Sequence, residues 1–274
     1  MAVVARNAAE QISATIQSLL DQSIKPVRII VVNDGSTDST PEIVTKYSLE
    51  HSSVRLINRP DNGYDIRRVP SNLNLALSSA RDLASDYVMI SGDDCVYPSS
   101  YVQSVVTRME EDSRLVVASG RPSESGLHSD EHSPSGSGRI VCTPFLREVG
   151  FRFPVKAGWE AWLLYKAEQH GYRSRLFRGI GYAHVRPRGS THHFTYWGAA
   201  MYTLGYHPLY ALGRIVRNLV KRASVKSALG LFVGYVDAVL GSSDPFMVPF
   251  DQSLRRFTCD KQRGEIVRLI SARL

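Results

Sequence analysis

Two adjacent carboxylates, Asp93 and Asp94, follow a run of apolar and β-branched residues at 87–90, after the two small residues Ser91 and Gly92. That run predicts a buried strand, and two unpaired carboxylates at its end would repel each other and lose hydration. Such a pair requires a cation, and a hard divalent ion with oxygen ligands is the usual partner. The stretch therefore predicts a metal-assisted site, with a solvated Asp-Asp turn as the alternative.

Strand and helix patterns alternate ahead of these acids and must position them. A βαβ series of this kind predicts an α/β protein with a mostly parallel, doubly wound, Rossmann-like sheet. The pattern continues beyond the acids, with a predicted helix at 140–150 and a short strand at 176–177. The predicted strands of the first half are 2–5, 27–32, 54–57 and 87–90, and helices are predicted at 8–22, up to 47, and at 71–84.

The segments that follow neighbouring parallel strands meet at one edge of the sheet, where open α/β sheets bind their ligands. Segments 5–7, 33–36 and 91–94 each follow a predicted strand and should therefore be neighbours. Asp34 could accept hydrogen bonds from ribose hydroxyls or base nitrogens, and the small turn residues beside it let a nucleotide approach the backbone. The chain has neither a G-x-G-x-x-G turn nor a Walker lysine loop, which leaves the phosphates to a metal at Asp93 and Asp94.

Four motifs occur in a fixed order along the chain. They are Ala5-Arg6-Asn7, Val31-Val32-Asn33-Asp34-Gly35-Ser36-Thr37-Asp38, Gly92-Asp93-Asp94 and Gly158-Trp159-Glu160. Together they resemble the motifs of family-2 glycosyltransferases with the GT-A fold, over roughly residues 1–190. The resemblance implies inverting transfer of a sugar from a UDP- or GDP-sugar, assisted by Mg²⁺ or Mn²⁺, to a glycan or a polyprenyl-phosphate-linked acceptor.

The resemblance also implies roles for individual residues. Asp93 and Asp94 match the metal and diphosphate ligands. Ser91 and Gly92 stand where the usual pattern often has its first acid, so two registers are possible, with Asp93 favoured as the principal ligand and Asp94 as the alternative. His184 resembles a further metal or diphosphate contact of some relatives, although a lone histidine also suits a structural role. The positions that match nucleotide contacts are Ala5, Arg6, Asn33, Asp34 and Asp93, where Asn33 replaces a common Asp.

Two arginines close to His184, Arg186 and Arg188, are candidate partners of the diphosphate. A guanidinium offers a planar fork of donors that suits phosphate oxygens. A solvated basic turn would have the same sequence, so both interpretations remain open.

The acceptor side departs from the resemblance at Glu160-Ala161, because relatives commonly carry Glu-Asp there with the Asp as general base. Glu160 could act as the base, since a carboxylate at a helix N-terminus is held ionised by the helix dipole. Alternatively, the acceptor is a lipid phosphate, which is already anionic near neutral pH and needs no base. A third possibility is a protein that binds nucleotide sugar but transfers slowly or not at all.

Residues 191–274 differ in character from residues 1–190, and we expect a catalytic domain followed by a helical C-terminal region. Arg214, Arg217 and Lys226 lie among apolar residues there, and a strongly apolar stretch follows at 228–240. A basic amphipathic helix beside a short apolar one is typical of a pair at a membrane interface, although a packed helical subdomain would look similar. We therefore expect a cytoplasmic protein, peripheral on the cytoplasmic face of the membrane.

Composition narrows the remaining classes. The net charge of +7 indicates an anionic partner, but the basic residues form no recognisable nucleic-acid-binding motif. Three widely spaced cysteines fit a reducing compartment, no secretory signal pattern opens the chain, and no apolar run reaches the roughly 18 to 20 residues that span a bilayer. A first strand that starts at residue 2 suggests that its front is clipped. The alternatives to a transferase are a silent nucleotide-sugar or membrane-surface binding protein and a sugar-1-phosphate nucleotidyltransferase.

Overall fold

The computed structural model describes residues 1–123, 131, 133–186, 194–222 and 225–271. The chain divides into two compact units. The first consists of Met1–Phe153 with His170–Arg188, and the second of Pro154–Gln169 with Gly189–Leu274. The predicted domain boundary near residue 190 stays a prediction.

The first half of the first unit is the alternating series that the sequence predicts. Three strand pairs within it are parallel, so β2 and β4 both flank β1 and the residues after these strands share one edge. Val3, Val31 and Met89 are buried in the core of this sheet. The elements are β1 (Ala2–Ala5), α1 (Ile12–Leu20), β2 (Ile29–Asn33), α2 (Thr40–Glu50), β3 (Val54–Asn58), α3 (Val69–Ser79) and β4 (Tyr87–Ser91).

The later strands make the sheet mixed. Among the described residues the sheet has eight strands in the order β3-β2-β1-β4-β7-β6-β8-β5, with antiparallel pairs β4–β7, β6–β7 and β5–β8. The predicted α/β class and mostly parallel sheet are confirmed. The further elements of this unit are β5 (Cys95–Val96), α4 (Tyr101–Glu110), β6 (Leu115–Pro122), β7 (Arg139–Cys142), α5 (Thr143–Glu148) and β8 (Arg173–His184).

The predicted helix at 140–150 is wrong at its start. Ile140 and Val141 are buried and belong to β7, which pairs with β4 through Tyr87 and Cys142. Only Thr143–Glu148 is helical. A short apolar run fits a buried strand or a helix start equally well, and here pairing with β4 decides it.

A cluster of three tyrosines supports the edge of the sheet beyond β4. The rings of Tyr97 and Tyr182 lie 5.1 Å apart, and Tyr97 contacts the Ser91 hydroxyl at 2.9 Å. Tyr101 donates to the Gly138 carbonyl at 2.7 Å and accepts from the Gly120 amide at 2.8 Å. The cluster therefore fixes β5 and β8 beside the end of β4.

The second unit is helical, which confirms the predicted helical C-terminal region. Two glycines allow α7 and α9 to approach closely: a Cβ at Gly234 would lie 1.8 Å from the Thr195 carbonyl, and one at Gly198 would lie 2.1 Å from the Leu231 carbonyl. In the described part of the chain, no helix combines the length and apolar character needed to cross a membrane. The helices are α6 (Trp159–Gln169), α7 (Phe194–Thr203), α8 (Pro208–Arg222), α9 (Val225–Val239) and α10 (Gln252–Ser271).

Candidate active site

The edge formed by the ends of β1, β2 and β4 brings together the predicted site residues of the first unit. Ala5 ends β1 and is buried, and its carbonyl accepts from the Asp34 amide at 2.9 Å. The next backbone amide, of Arg6, donates to Asp93 Oδ2 at 3.1 Å. Parallel pairing of β1 with β2 and with β4 therefore joins the two acidic turns through the backbone that follows β1.

The Arg6 side chain holds the turn after β2. Its guanidinium donates to the carbonyls of Asp34 and Gly35 and forms an ion pair with Asp61 at 2.7 Å. Gly35 has a φ of +67°, and a Cβ there would lie 2.4 Å from the Asp61 Cα. The turn thus needs both a glycine and the arginine to keep its shape.

Asp34 is buried and bound by an arginine that the sequence reasoning missed. Arg68 Nη2 lies 3.0 Å from Asp34 Oδ2, and Arg68 Nε lies 3.2 Å from both carboxylate oxygens. Arg68 comes just before α3, and no motif marks it. A nucleotide that contacts Asp34 would therefore meet the ion pair rather than a lone carboxylate.

Asn33 stabilises the same turn through its side-chain amide. Its Oδ1 accepts from the Ser36 amide at 3.0 Å, and its Nδ2 donates to Asn58 at the end of β3 at 2.9 Å. Because these bonds use both ends of the amide, the structure gives Asn33 a supporting role in the turn.

Asp93 is the more enclosed of the two adjacent acids. Its side chain is 15% exposed, and Arg186 Nη2 lies 4.0 Å from Oδ2. Burial raises the pKa of Asp93 to about 6, although the Arg6 amide and Arg186 favour the ionised form. A cation bound here would remove the penalty of keeping this carboxylate charged.

Asp94 turns toward a different group of residues. Its Oδ1 lies 3.3 Å from His184 Nδ1 and 3.6 Å from Cys95 Sγ. The hydrogen bond with Asp94 raises the pKa of His184 to about 10. Burial raises the pKa of Asp94, but the hydrogen bonds from His184 and Cys95 and the charges of His184 and Arg186 together lower it below its usual value. A proton and a metal ion would be alternatives at His184 Nδ1.

Cys95 completes this group, and the sequence reasoning missed it. Cys95 Sγ lies 3.6 Å from His184 Nδ1, because Cys95 in β5 is the antiparallel partner of His184 in β8. Within the described residues, Asp94, Cys95 and His184 form a potential metal-binding group whose donor atoms lie within 4.8 Å of one another, and Asp93 is not a member. The adjacency of Cys95 to Asp94 was the available signal, but the β5–β8 pairing was not predicted.

The remaining predicted residues fall in different places. Arg186 donates to the Asn7 carbonyl at 3.3 Å, so it belongs to the same edge as Asp93. Glu160 is exposed in the first turn of α6, in the second unit, whereas the other described candidates belong to the first. Arg188 lies outside the described residues. The roles of these three residues stay predictions.

Comparison with known proteins identifies the family. Residues 1–194 match the family model described as glycosyl transferase family 2, which is more than half of the chain. The chain belongs to glycosyltransferase family 2.

Relatives with curated descriptions match parts of the chain. The Escherichia coli protein described as uncharacterized glycosyltransferase YibD is 29% identical over 106 residues, which cover 39% of this chain and 29% of the relative. The Bacillus subtilis protein described as uncharacterized glycosyltransferase EpsJ is 26% identical over 167 residues, which cover 61% of this chain and 45% of the relative. The chain thus spans less than half the length of these two relatives.

Solved glycosyltransferase structures have the same fold. The mannosyltransferase PcManGT from Pyrobaculum calidifontis, solved in complex with GDP-Man and Mn²⁺, has a TM-score of 0.58 and 16% identity, over 99% of this chain and 78% of that chain. Residues 1–349 of S. aureus TarS, solved in complex with UDP-GlcNAc, have a TM-score of 0.57 and 16% identity, over 86% and 70% of the two chains. These similarities confirm the predicted GT-A fold.

The side chains at this edge of the family-2 chain include groups that could bind a divalent cation. Asp93 is a largely enclosed carboxylate with a raised pKa, which is the situation that a bound cation relieves. Asp94 and His184 add an oxygen and a nitrogen ligand within one group. Divalent ions in proteins use carboxylate and imidazole ligands of this kind.

Proposed function

We propose that this chain is an inverting, metal-dependent glycosyltransferase that uses a UDP- or GDP-sugar. The observation that supports it best is the largely enclosed Asp93 carboxylate at the shared strand edge, which accepts from the Arg6 amide at 3.1 Å and lies 4.0 Å from Arg186. Two solved proteins of the same fold were crystallised with UDP-GlcNAc and with GDP-Man and Mn²⁺, which supports a nucleotide-sugar donor.

In this proposal, different residues at the edge of the sheet bind different parts of the nucleotide-sugar donor. The turn at Asn33–Asp34 and the Asp34–Arg68 pair receive the nucleoside, and Asp93, Asp94, His184 and Arg186 face the diphosphate. Bound Mg²⁺ or Mn²⁺ would neutralise the leaving diphosphate. Arg186 adds a fixed positive charge close to Asp93, so it can stabilise diphosphate oxygens as the bond to the sugar breaks.

The transfer step is an in-line displacement. The acceptor oxygen forms a bond to the anomeric carbon on the face opposite the nucleotide, the bond from that carbon to the diphosphate oxygen breaks, and the diphosphate leaves with the electron pair. If the acceptor is a sugar hydroxyl, its proton passes to a base, for which Glu160 is our candidate. A polyprenyl phosphate acceptor is already anionic and needs no base.

The replacement of the usual Asp by Ala161 favours the lipid phosphate over a sugar hydroxyl. It also supports a second candidate function, a nucleotide-sugar-binding protein that does not transfer. Only the transferase would release nucleoside diphosphate together with glycosylated acceptor.

Two helices of the second unit support peripheral association with the cytoplasmic face of a membrane. Both carry exposed apolar residues at helical spacing, and the only acidic residue in the sequence from 194 to 240 is Asp237. Exposed Arg214, Arg217 and Lys226 supply positive charge for an anionic lipid surface. The exposed apolar residues are Leu209, Leu212, Val216 and Val220 in α8, and Val225, Leu229, Phe232 and Val233 in α9.

The acceptor proposal is tested with purified protein, labelled UDP- and GDP-sugars, Mn²⁺, and two acceptor classes, polyprenyl phosphate and oligosaccharide. We expect product with polyprenyl phosphate, inverted at the anomeric carbon, and an unchanged rate in Glu160→Gln. A loss of several orders of magnitude in Glu160→Gln with the phosphate acceptor would contradict the account that needs no base. Saturable nucleotide binding without product on either acceptor would favour the silent protein.

A further inference from the structure

The group formed by Asp94, Cys95 and His184 differs in chemistry from an oxygen-only magnesium site. It combines a carboxylate oxygen, a thiol sulfur and an imidazole nitrogen. Thiolate ligands favour zinc and other soft or borderline ions, whereas magnesium is bound almost wholly by oxygen. The donor atoms of this group therefore point to a different metal preference from the one that the fold alone suggests.

The separations of the three donor atoms agree with tetrahedral coordination. They are 3.3 Å between oxygen and nitrogen, 3.6 Å between sulfur and nitrogen, and 3.6 Å between sulfur and oxygen. Zinc bonds of about 2.0 Å to nitrogen or oxygen and about 2.3 Å to sulfur, at tetrahedral angles, give separations of about 3.3 to 3.6 Å. Neighbouring ligands of octahedral magnesium, with bonds of about 2.0 to 2.1 Å, would be only about 2.9 Å apart.

The backbone fixes these positions. Cys95 and His184 are opposite each other in the β5–β8 pair, and Asp94 precedes Cys95 in the chain. A Cβ at Gly92 would lie 3.0 Å from Asp94 Oδ1 and 3.4 Å from Cys95 Sγ, so glycine leaves the donor atoms the space that a side chain would narrow. The group is thus assembled by the sheet, and little rearrangement would be needed to bind an ion.

The group is enclosed but accessible from one side. Cys95 is fully buried, while the side chains of Asp94 and His184 are 21% and 12% exposed. An ion would approach past the carboxylate and displace a proton from the thiol to solvent. Three protein ligands leave one tetrahedral position for water or another oxygen ligand, as catalytic zinc sites do.

We infer that Asp94, Cys95 and His184 form a three-ligand site that binds Zn²⁺ more tightly than Mg²⁺ or Mn²⁺. The inference rests on the proposed function in one respect only, which is that the diphosphate of the donor takes the fourth position. Because Asp94 and His184 are shared with the proposed Mg²⁺ or Mn²⁺ site, zinc bound here would compete with those ions.

The direct test is spectroscopic and needs no activity. The full chain, freed of metal, is titrated with Co²⁺ as a probe for zinc, and absorption is followed in the near ultraviolet, where a thiolate bound to cobalt gives an intense charge-transfer band. We expect this band, a tetrahedral d–d spectrum and displacement of the probe by about one equivalent of Zn²⁺. Absence of the charge-transfer band from the wild-type protein would overturn the inference.

Substitutions identify which thiol gives the charge-transfer band. We expect Cys95→Ser to remove it and to weaken Zn²⁺ binding at least tenfold, and His184→Asn to weaken binding similarly, with both variants keeping the wild-type circular dichroism. The control is Cys142→Ser, whose half-buried thiol lies on β7 next to the Leu115 carbonyl, and which should bind as the wild type does. A band that survives Cys95→Ser would overturn the assignment.

The outcome is independent of sugar transfer. If the wild-type protein transfers sugar with Mn²⁺ but shows no thiolate band, the zinc site is wrong and the proposed function stands. A thiolate band without transfer on any acceptor would leave the zinc site in place and contradict the proposed function.

Discussion

At the scale of single residues, the candidate site is a set of charges that restrain one another. The sequence identifies Asp34 and Asp93 as important acids, because they follow predicted strands. It does not identify their partners: Arg68 binds Asp34 from a segment 34 residues away, and the Arg6 amide binds Asp93 from the end of a neighbouring strand. The local sequence pattern was thus enough to identify the two acids as site candidates, whereas their binding partners could be found only from the tertiary structure.

The Asp34–Arg68 ion pair makes the first prediction. Arg68→Ala should lower the free energy of unfolding by about 3 kcal/mol, because it leaves a buried carboxylate without its partner. The control is Arg67→Ala, which removes a half-buried arginine paired with its near neighbour Asp65 and should cost less than about 1 kcal/mol. The measurement is urea denaturation. An equal decrease in the free energy of unfolding in the two variants would contradict a larger contribution from the buried pair.

The raised pKa of Asp93 makes a prediction about pH. Burial raises the pKa in the folded state to about 6, above the value of about 3.9 in the unfolded chain, so ionising Asp93 destabilises the fold as the pH rises between about 4 and 6. Asp93→Asn keeps an acceptor for the Arg6 amide but carries no charge. In metal-free buffer it should therefore be more stable than the wild type at pH 7.5, by about 2 kcal/mol.

The same comparison at lower pH supplies the control for Asp93. At about pH 2.5, well below the unfolded-state pKa of about 3.9, the wild-type carboxyl is protonated in both states, so the difference in the free energy of unfolding should disappear. Asp82→Asn, at an exposed acid, should show no such dependence. An Asp93→Asn variant that is less stable than the wild type at both pH values would contradict the assignment of burial as the cause.

At the scale of elements, the sequence predicts the parallel βαβ series because each strand and helix there carries its own hydrophobic period. The sequence-based prediction fails where strand pairing, rather than the local pattern, determines the secondary structure. The run at 140–141 is too short for its period to distinguish strand from helix, and pairing with β4 makes it a strand. The strand predicted at 176–177 extends from Arg173 to His184 because β6 and β5 pair along it. This extension is also why Cys95 was missed.

The contact between α7 and α9 makes a prediction at this scale. Gly234→Ala should destabilise the protein, because its Cβ would lie 1.8 Å from the Thr195 carbonyl and the helices would have to separate. The matched control is Gly213→Ala in α8, where a Cβ meets nothing within 4 Å, and this change should stabilise the helix by up to about 1 kcal/mol. Opposite signs in thermal unfolding are expected, and equal stabilisation in both would contradict the close helix contact.

At the scale of the whole molecule, charge and exposed apolar surface suggest where the protein acts. The net charge of +7 predicts an anionic partner without choosing one. The structure adds that α8 and α9 both carry exposed apolar residues beside arginine and lysine. Neither feature specifies the sugar or the acceptor, because those depend on the shape of the bound complex rather than on composition.

The membrane proposal predicts selective binding to vesicles. The protein should sediment with vesicles that contain phosphatidylglycerol and much less with pure phosphatidylcholine, and salt should weaken the binding. The double variant Leu212→Glu with Phe232→Glu should lose at least tenfold in affinity. The control is Leu49→Glu on α2, an even more exposed apolar site in the first unit. Loss of self-association instead of vesicle binding in the double variant would indicate a protein interface.

The central claim is that Asp93 at the strand edge supports cation-dependent sugar transfer. The most direct measurement is the rate of nucleoside diphosphate release from the preferred UDP- or GDP-sugar, with acceptor, in Mn²⁺ and in EDTA, for wild type, Asp93→Asn and Asp82→Asn. We predict turnover in Mn²⁺ for the wild type and Asp82→Asn, none in EDTA, and a loss of at least a hundredfold in Asp93→Asn, which remains folded. Full turnover in Asp93→Asn would contradict the account.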